Sequence, residues 1–487
     1  MPATKFNTTV LLLLILALGT ALRLFRLSYQ SLWYDELHSM IPTNPANTLA
    51  ALIEYCKTDQ PPAYFILLHY WFKLFAHNAF YGRLFSALIG VLGLGAMYAL
   101  GREVGGRKVG LTACFFTAIN WFHILYSQEV RFYGLLFLFT VLSYLFFIRA
   151  YRRERAVDFI GYTLTSIGLI YTHYYAMVVL LTQLITFGWM IYSGRRSWRF
   201  IGMALASGVA VLGAFIPWMP VVLQDNEIAS FWIKRPDPFF WGLYFYVYLG
   251  KDPVLAVLYV ALGVLYLRYM VGLFRREGIR NVSFPVAFFI IVSLWIGLTY
   301  LIPYLQSILS VPVLHERYTI ITLPALFLVF ALGFGLVKSR RTQQMLLGVA
   351  VLSTTLNFLF FNRYYTKISK SQFREAAITV MKYNRDGTKV YSDQDWFYNF
   401  YFENYGSPIR VNTSYGADLA QSLANDKKVW VLKGMQLPGI DSVQQQYLDT
   451  HFPVKKTFQF VDTKATLYQR QEAAPGPPVI SSSAASE

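Results

Sequence analysis

Along the first three quarters of this chain, long apolar runs are separated by short charged turns. Runs suited to crossing about 30 Å of hydrocarbon, which takes roughly 20 helical residues, lie near 10–27, 84–101, 109–126, 132–148, 158–172, 174–192, 200–220, 253–273, 284–305, 319–337 and 345–361. They predict eleven transmembrane helices. Arg23 and Arg26 close the first run with no small-residue cleavage site after it, so it reads as a retained anchor rather than a signal peptide.

A further apolar stretch, Ala63 to Ala76, follows Pro61 and Pro62, carries His69 and Lys73, and is short for a span. Topology decides its place. If it does not cross, the loops holding Arg102/Arg107/Lys108, Arg149/Arg152/Arg153/Arg155, Arg195/Arg196/Arg199, Arg275/Arg276/Arg280 and Lys338/Arg340/Arg341 all fall on the side of Lys5, as the positive-inside rule requires. Residues 62–76 are therefore expected to form a juxtamembrane helix along the outer interface, with its Tyr, Trp, His and Lys near the headgroups. Phe239 to Tyr248 holds seven aromatics in ten residues and suits a second interfacial helix or an aromatic belt. An odd number of spans from a cytoplasmic N-terminus places everything after residue 361 outside.

Beyond Asn362 the pattern becomes polar and mixed in charge. Helical segments (Gln372 to Tyr383, Trp396 to Tyr405, Ala417 to Asn425, Ser442 to Asp449) alternate with β-rich stretches at Lys389 to Tyr391, Ile409 to Val411, Lys428 to Leu432, Val454 to Val461 and Ala465 to Gln469. This alternation predicts a small soluble α/β domain over 362–470. The Pro-, Ser- and Ala-rich tail, 471–487, is expected to be disordered.

Composition agrees with a chain dissolved largely in lipid. Of 487 residues 55% are hydrophobic and only 14% charged, against about a quarter charged in soluble domains, and the mean hydropathy is +0.40. The net charge of +17 would suggest nucleic acid if it lay on one exposed face. Most of it lies instead in the inner loops, so it reports topology and gives no reason to expect a nucleic-acid partner. Cys56 and Cys114 are the only cysteines, one in a polar-flanked loop and one inside an apolar run, so no disulfide framework or cysteine-based metal site is indicated.

Ionisable residues gather in the outer turns. The first outer loop, within 28–81, holds Trp33-Tyr34-Asp35-Glu36-Leu37-His38 and Asp59-Gln60-Pro61-Pro62. Asp35 and Glu36 would point about 100° apart on a helix, so one can act while hydrogen bonds hold the other; alone, the pair fits a helix-capping acid equally well. The second turn reads Ser127-Gln128-Glu129-Val130-Arg131-Phe132-Tyr133, the third Thr172-His173-Tyr174-Tyr175, and the fifth His315-Glu316-Arg317-Tyr318. An Arg where a helix enters the membrane is costly unless paired. Arg131 and Arg317 therefore either bond their Glu neighbours or face an anionic headgroup, for which guanidinium geometry is well suited.

At these residues the chain resembles the GT-C superfamily of integral membrane glycosyltransferases, close to protein O-mannosyltransferases and aminoarabinose transferases, the glycosyltransferase family 39-like group. The resemblance rests on Leu32 to Glu36, Asp59 to Tyr64, Tyr81-Gly82-Arg83-Leu84-Phe85-Ser86, Ser127 to Tyr133, His173-Tyr174-Tyr175, and Glu316-Arg317-Tyr318 followed by Leu323-Pro324. It implies a GT-C fold over 1–361 and an inverting sugar transferase of the mannosyltransferase-like kind. The implied donor is a polyprenyl-phosphate sugar and the active site lies at the periplasmic face of the inner (plasma) membrane.

Asp35 would be the catalytic base, with Glu36 beside it, and Arg131 and Arg317 would bind the donor phosphate. His38, Asp59, Glu129, His173, Tyr174, His315, Glu316 and Tyr318 would contact the acceptor or support these groups. Gln60 stands where relatives often have His. The second outer turn lacks the paired Asp that bind a divalent metal in oligosaccharyltransferases, so metal-independent chemistry with no cofactor is expected, Glu129 being the residue best able to overturn it. The acceptor would be a lipid, a glycan or a protein. A ligase or polymerase of lipid-linked glycans shares this donor chemistry. A lipid or glycan transporter should instead carry charges or broken helices at mid-membrane depth.

Overall fold

The computed structural model describes residues 7–58, 60–192, 196–224, 233–277, 283–413, 419–423, 425–435, 440 and 442–470. Asp59 and the tail 471–487 lie outside the described residues. Contacts divide the chain into two compact units. The first takes the chain up to Leu27 and from Pro42 to Lys367; the second joins Ser28–Ile41 to everything from Ile368 onward. The expected outer loop 28–81 is thus shared between them, and the second unit is larger than 362–470 by the segment that carries Asp35.

The first unit is helical. Among the described residues, seven helices are long and apolar enough to span a membrane: Ala79–Ile119, Tyr133–Arg153, Trp198–Val222, Pro253–Glu277, Phe284–Leu309, Tyr318–Leu336 and Arg340–Phe361. Thr8–Leu24, Ala156–Ile170 and Ala176–Tyr192 are shorter apolar helices. Two expected spans, 84–101 and 109–126, fall within and just beyond the 41-residue helical stretch Ala79–Ile119, which breaks at Gly106, where φ is +83°. Only glycine adopts that backbone cheaply. In a straight helix Gly101 and Gly110 would stand about 13 Å apart, yet a Cβ on Gly101 would sit 2.8 Å from the Gly110 Cα. The chain therefore folds back at Gly106, and a small-residue pair lets the two arms touch. The second arm ends at Ile119; Asn120 then caps a separate helix, Trp121–Ser127, by accepting from the His123 N–H at 2.9 Å.

Tyr133–Arg153 is buried along most of its length and packs against Ala79–Ile119 and Ala156–Ile170. Arg23, fully buried, donates to Gly19 O at 2.9 Å, Ala118 O at 3.0 Å and Thr117 O at 3.1 Å, and lies 2.8 Å from His123 Nδ1. It thus caps the C-terminal end of the folded-back arm, where carbonyls carry partial negative charge.

The expected juxtamembrane helix is present as Ala63–Leu74, but its polar residues are not all at the surface. Tyr64 and His69 are buried, Tyr64 sharing a 2.8 Å hydrogen bond with Ser86. Tyr70, Leu67 and Leu74 form its exposed face. The sequence pattern does not distinguish the two faces of so short a helix, one of which packs inward. The aromatic stretch forms Phe240–Tyr248, with Phe240, Tyr244 and Tyr248 turned inward and Trp241 and Leu243 outward.

The second unit is the expected α/β domain. Its strands are β1 (Val390–Ser392), β2 (Val411–Thr413), β3 (Lys428–Gly434), β4 (Val454–Phe460) and β5 (Thr463–Gln469), ordered β2-β1-β3-β5-β4. β1 pairs in parallel with β2 and β3, while β3-β5-β4 is antiparallel. Helices Phe373–Tyr383, Asp395–Asn404 and Ser442–His451 cover the sheet. The central strand β3 is buried almost throughout, with Val429 and Val431 packed against Tyr391, Leu448, Phe452 and Tyr468.

Candidate active site

The acidic pair of the first outer loop sits on a short helix, Tyr34–Met40, belonging to the second unit. Hydrogen bonds from the far end of the sequence fix the chain leading into it. Tyr401 Oη accepts from the Leu32 N–H at 2.9 Å and lies 3.0 Å from Ser31 Oγ. Arg374 donates to the carbonyls of Ser28 and Tyr29, both at 2.8 Å. Gln30 Oε1 accepts from the Ser369 and Lys370 N–H groups at 3.0 and 3.1 Å. Rings finish the seat: Tyr34 meets Phe397 edge-on at 5.0 Å, and His38 lies 4.8 Å from Trp396.

The two acids have different surroundings. Glu36 is fully buried, and its carboxylate lies 3.0 Å from Lys370 Nζ. Asp35, one residue earlier, is half-buried in the helix's first turn, where the N-terminal dipole favours a carboxylate. Glu36 is held by this ion pair. Removing one partner of a buried ion pair typically costs about 3–5 kcal/mol. Lys370→Met is therefore expected to lower the unfolding temperature of the purified protein clearly, and Glu36→Gln in the same chain to restore part of it; an unchanged unfolding temperature in the single variant would contradict this.

The other predicted residues belong to the first unit. After Ser127, the Gln128 side chain donates to the carbonyls of Arg23 and Phe25, both at 2.9 Å, and accepts from Tyr364 Oη at 2.8 Å, which fixes the start of the second turn. The Arg131 N–H then donates to Glu129 O at 2.8 Å. Both side chains are buried, and the Arg131 guanidinium lies 4.6 Å from the Phe132 ring. His173 lies 5.0 Å from that ring and 4.9 Å from Tyr318.

The fifth turn is pinned from several sides. Val313 and Leu314 N–H both donate to Ser307 Oγ at 2.9 Å, Tyr175 Oη donates to Val313 O at 2.7 Å, and Tyr244 Oη to Leu314 O at 3.1 Å. Arg317, also buried, has its guanidinium 5.6 Å from the Tyr318 ring. Glu316 contacts His315 Nδ1 at 3.1 Å. Burial pushes the Glu316 carboxyl above its ordinary range, against the pull of its own backbone hydrogen bond and of Arg317 and Lys251. Tyr174 accepts from Trp218 Nε1 at 3.3 Å, a contact that suits a structural role.

The structure therefore brings Arg131, His173, Arg317 and Tyr318 together. Burial, then the two guanidiniums, lower the His173 pKa to about 3. Its ring is neutral at physiological pH. Nδ1 accepts from the Tyr175 N–H at 3.1 Å, so the proton of the neutral ring is on Nε2. That buried N–H has no hydrogen-bond partner among the described residues. Two buried cations and one unmatched donor make a cluster whose chemistry suits the oxygens of an anion.

The pH consequence has a definite sign. Unfolded His takes its proton near pH 6.5, the folded ring only near 3, so acid favours the unfolded chain. The stability contributed by the neutral ring is complete above about pH 6.5 and is lost as the pH falls toward 3. His173→Gln is expected to lose less stability than the parent between about pH 6.5 and 5, read by thermal unfolding; parallel losses would contradict the assignment.

Sequence reasoning missed Lys370, Arg374, Trp396, Phe397 and Tyr401, which seat the acidic helix from more than 300 positions away. Asp59 lies outside the described residues. Among the described residues, no three His, Cys, Asp or Glu side chains gather as metal ligands.

Residues 59–221 match the family model described as dolichyl-phosphate-mannose-protein mannosyltransferase. No curated protein sequence matches the chain. Among solved structures, the fold is similar to ArnT from Cupriavidus metallidurans. In its apo state the match has TM-score 0.61 and 13% identity, covering 94% of this chain and 98% of that one. Bound to undecaprenyl phosphate, the values are 0.58 and 14%, with 95% and 98% covered. The archaeal oligosaccharyltransferase AglB from Archaeoglobus fulgidus, in complex with an inhibitory peptide and a dolichol-phosphate, matches at TM-score 0.52 and 11% identity over 96% of this chain and 74% of that one. These matches bear out the expected polytopic helical membrane fold with a small C-terminal sheet domain.

Proposed function

We propose that this chain is a GT-C glycosyltransferase related to the protein O-mannosyltransferases and to ArnT, and that it transfers a sugar from a polyprenyl-phosphate donor to an acceptor at the outer face of the membrane. The observation that carries this reading is the pair of buried guanidiniums flanking neutral His173, whose Nε2–H is unmatched. Arg131, Arg317 and His173 hold the donor phosphate. An undecaprenyl phosphate in the ArnT structure and a dolichol-phosphate in the AglB structure support a lipid-phosphate ligand.

The reaction balances without an added reagent. Asp35 takes the proton of the acceptor hydroxyl or amine as that atom bonds to the anomeric carbon from the face opposite the phosphate. The bond from the anomeric carbon to the phosphate oxygen breaks, and its electron pair leaves with the polyprenyl phosphate. The configuration inverts. Charge grows on the departing phosphate, where Arg131, Arg317 and the His173 donor stabilise it in a low-dielectric setting. Glu36 and Lys370 hold the helix on which Asp35 stands.

The test is reconstitution in proteoliposomes with labelled polyprenyl-monophosphate and polyprenyl-diphosphate sugars and a membrane extract as acceptor source. Transfer from the monophosphate with release of polyprenyl phosphate is expected. Use of the diphosphate alone, with a glycan chain transferred, would favour a ligase or polymerase. Orientation is tested with a membrane-impermeant maleimide in intact cells: Arg385→Cys should label and Lys338→Cys should not, and the reverse would overturn the outer placement.

A further inference from the structure

The opposite end of the Tyr133–Arg153 helix carries a second charged cluster. Glu103, buried three residues before the Gly106 break, faces three arginines from the last turns of that helix. Arg149 Nε lies 3.4 Å and Arg152 Nη1 3.0 Å from its carboxylate, and Arg153 Nη2 is in direct contact with it. Arg152 Nη1 also donates to the Glu103 carbonyl at 2.5 Å. No second carboxylate lies within ion-pair distance of these arginines among the described residues. One carboxylate offsets one guanidinium, so two positive charges are left over. They sit on side chains that are 28–42% exposed, whereas the Glu103 side chain is 8% exposed.

An apolar cavity of about 170 Å³ opens beside this surplus, lined by Val104, Gly105, Met270, Pro285, Phe288 and Leu336, among others. The link is direct. Val104 and Gly105 follow Glu103 in the same helix, and Pro285 follows Phe284, whose ring lies 4.6 Å from the Arg152 guanidinium. Arg131 stands before the first residue of the Tyr133–Arg153 helix and these arginines at its end, about 30 Å along a helix of this length. The cluster is therefore separate from the pocket around His173.

We propose that this cluster and its cavity bind one anionic glycerophospholipid, the guanidiniums of Arg149 and Arg152 taking the headgroup phosphate and the cavity taking a segment of acyl chain. Charge complementarity selects the occupant: forked guanidinium donors match phosphate oxygens, and basic pockets between spanning helices suit anionic head groups. Loop charge that served only topology would need neither a shared buried acid nor an apolar cavity.

The test is native mass spectrometry of the purified full chain titrated with phosphatidylglycerol and, in parallel, phosphatidylethanolamine. About tenfold tighter binding of phosphatidylglycerol is expected. Arg149→Ala with Arg152→Ala should abolish that preference, and Leu336→Trp, which narrows the cavity and leaves the arginines in place, should weaken it. Glu103→Gln should bind phosphatidylglycerol at least as tightly as the parent, because it releases the guanidiniums. Equal binding of the two lipids, displacement by millimolar inorganic phosphate, or loss of the preference in a folded Glu103→Gln variant would overturn the proposal.

Discussion

Replacing Asp35 by Asn, which keeps the side-chain shape and removes its capacity to take a proton, is expected to slow sugar transfer by about 10²–10⁴-fold, the range a positioned general base contributes. The loss should fall on kcat, with the donor KM little changed, because Asp35 acts on the acceptor proton. Initial rates in proteoliposomes read both. Glu36→Gln is the informative comparison: Glu36 is buried against Lys370, so its loss should lower stability more than the rate measured on folded protein. Transfer that survives in Asp35→Asn and fails in folded Glu36→Gln would exchange the two roles.

The second large effect belongs to the phosphate pocket. Arg131→Ala and Arg317→Ala are each expected to cost about 10²–10³-fold in kcat, as when one donor to a developing oxyanion is removed. Burial first, and then both guanidiniums, lower the His173 pKa, so removing either arginine should let the imidazole protonate at a higher pH. That shift, followed by NMR of labelled His, distinguishes electrostatic action at this pocket from a fault in folding. A Lys at either position should restore part of the rate, since the charge returns without the forked geometry. If rates fall and the His173 titration does not move, the arginines work elsewhere.

Much of the fold was legible because its signals are local. Apolar runs marked the helices, whereas the break at Asn120, inside the expected span 109–126, left no mark on the apolar pattern. The five β-rich stretches after residue 388 correspond to β1–β5 within a few residues. What periodicity cannot carry is pairing between distant segments. Nothing near Trp33 announces that Tyr401 will receive the Leu32 N–H, or that Lys370 will meet Glu36 across 334 positions. His69 was misplaced for a related reason: a polar residue on a short apolar helix has the same local pattern on either face, and tertiary packing put this one inside. In the site, residue type pointed to Arg131, Arg317 and His173, while the tautomer of His173 and its unmatched donor needed coordinates.

The most direct measurement of the central claim is the stereochemistry and stoichiometry of one turnover. A donor of defined anomeric configuration is incubated with the reconstituted protein, and the glycosylated product and the released lipid are analysed by NMR and mass spectrometry. The account predicts an inverted anomeric carbon and one polyprenyl phosphate released per sugar transferred. A retained configuration, or a released lipid other than polyprenyl phosphate, would contradict it.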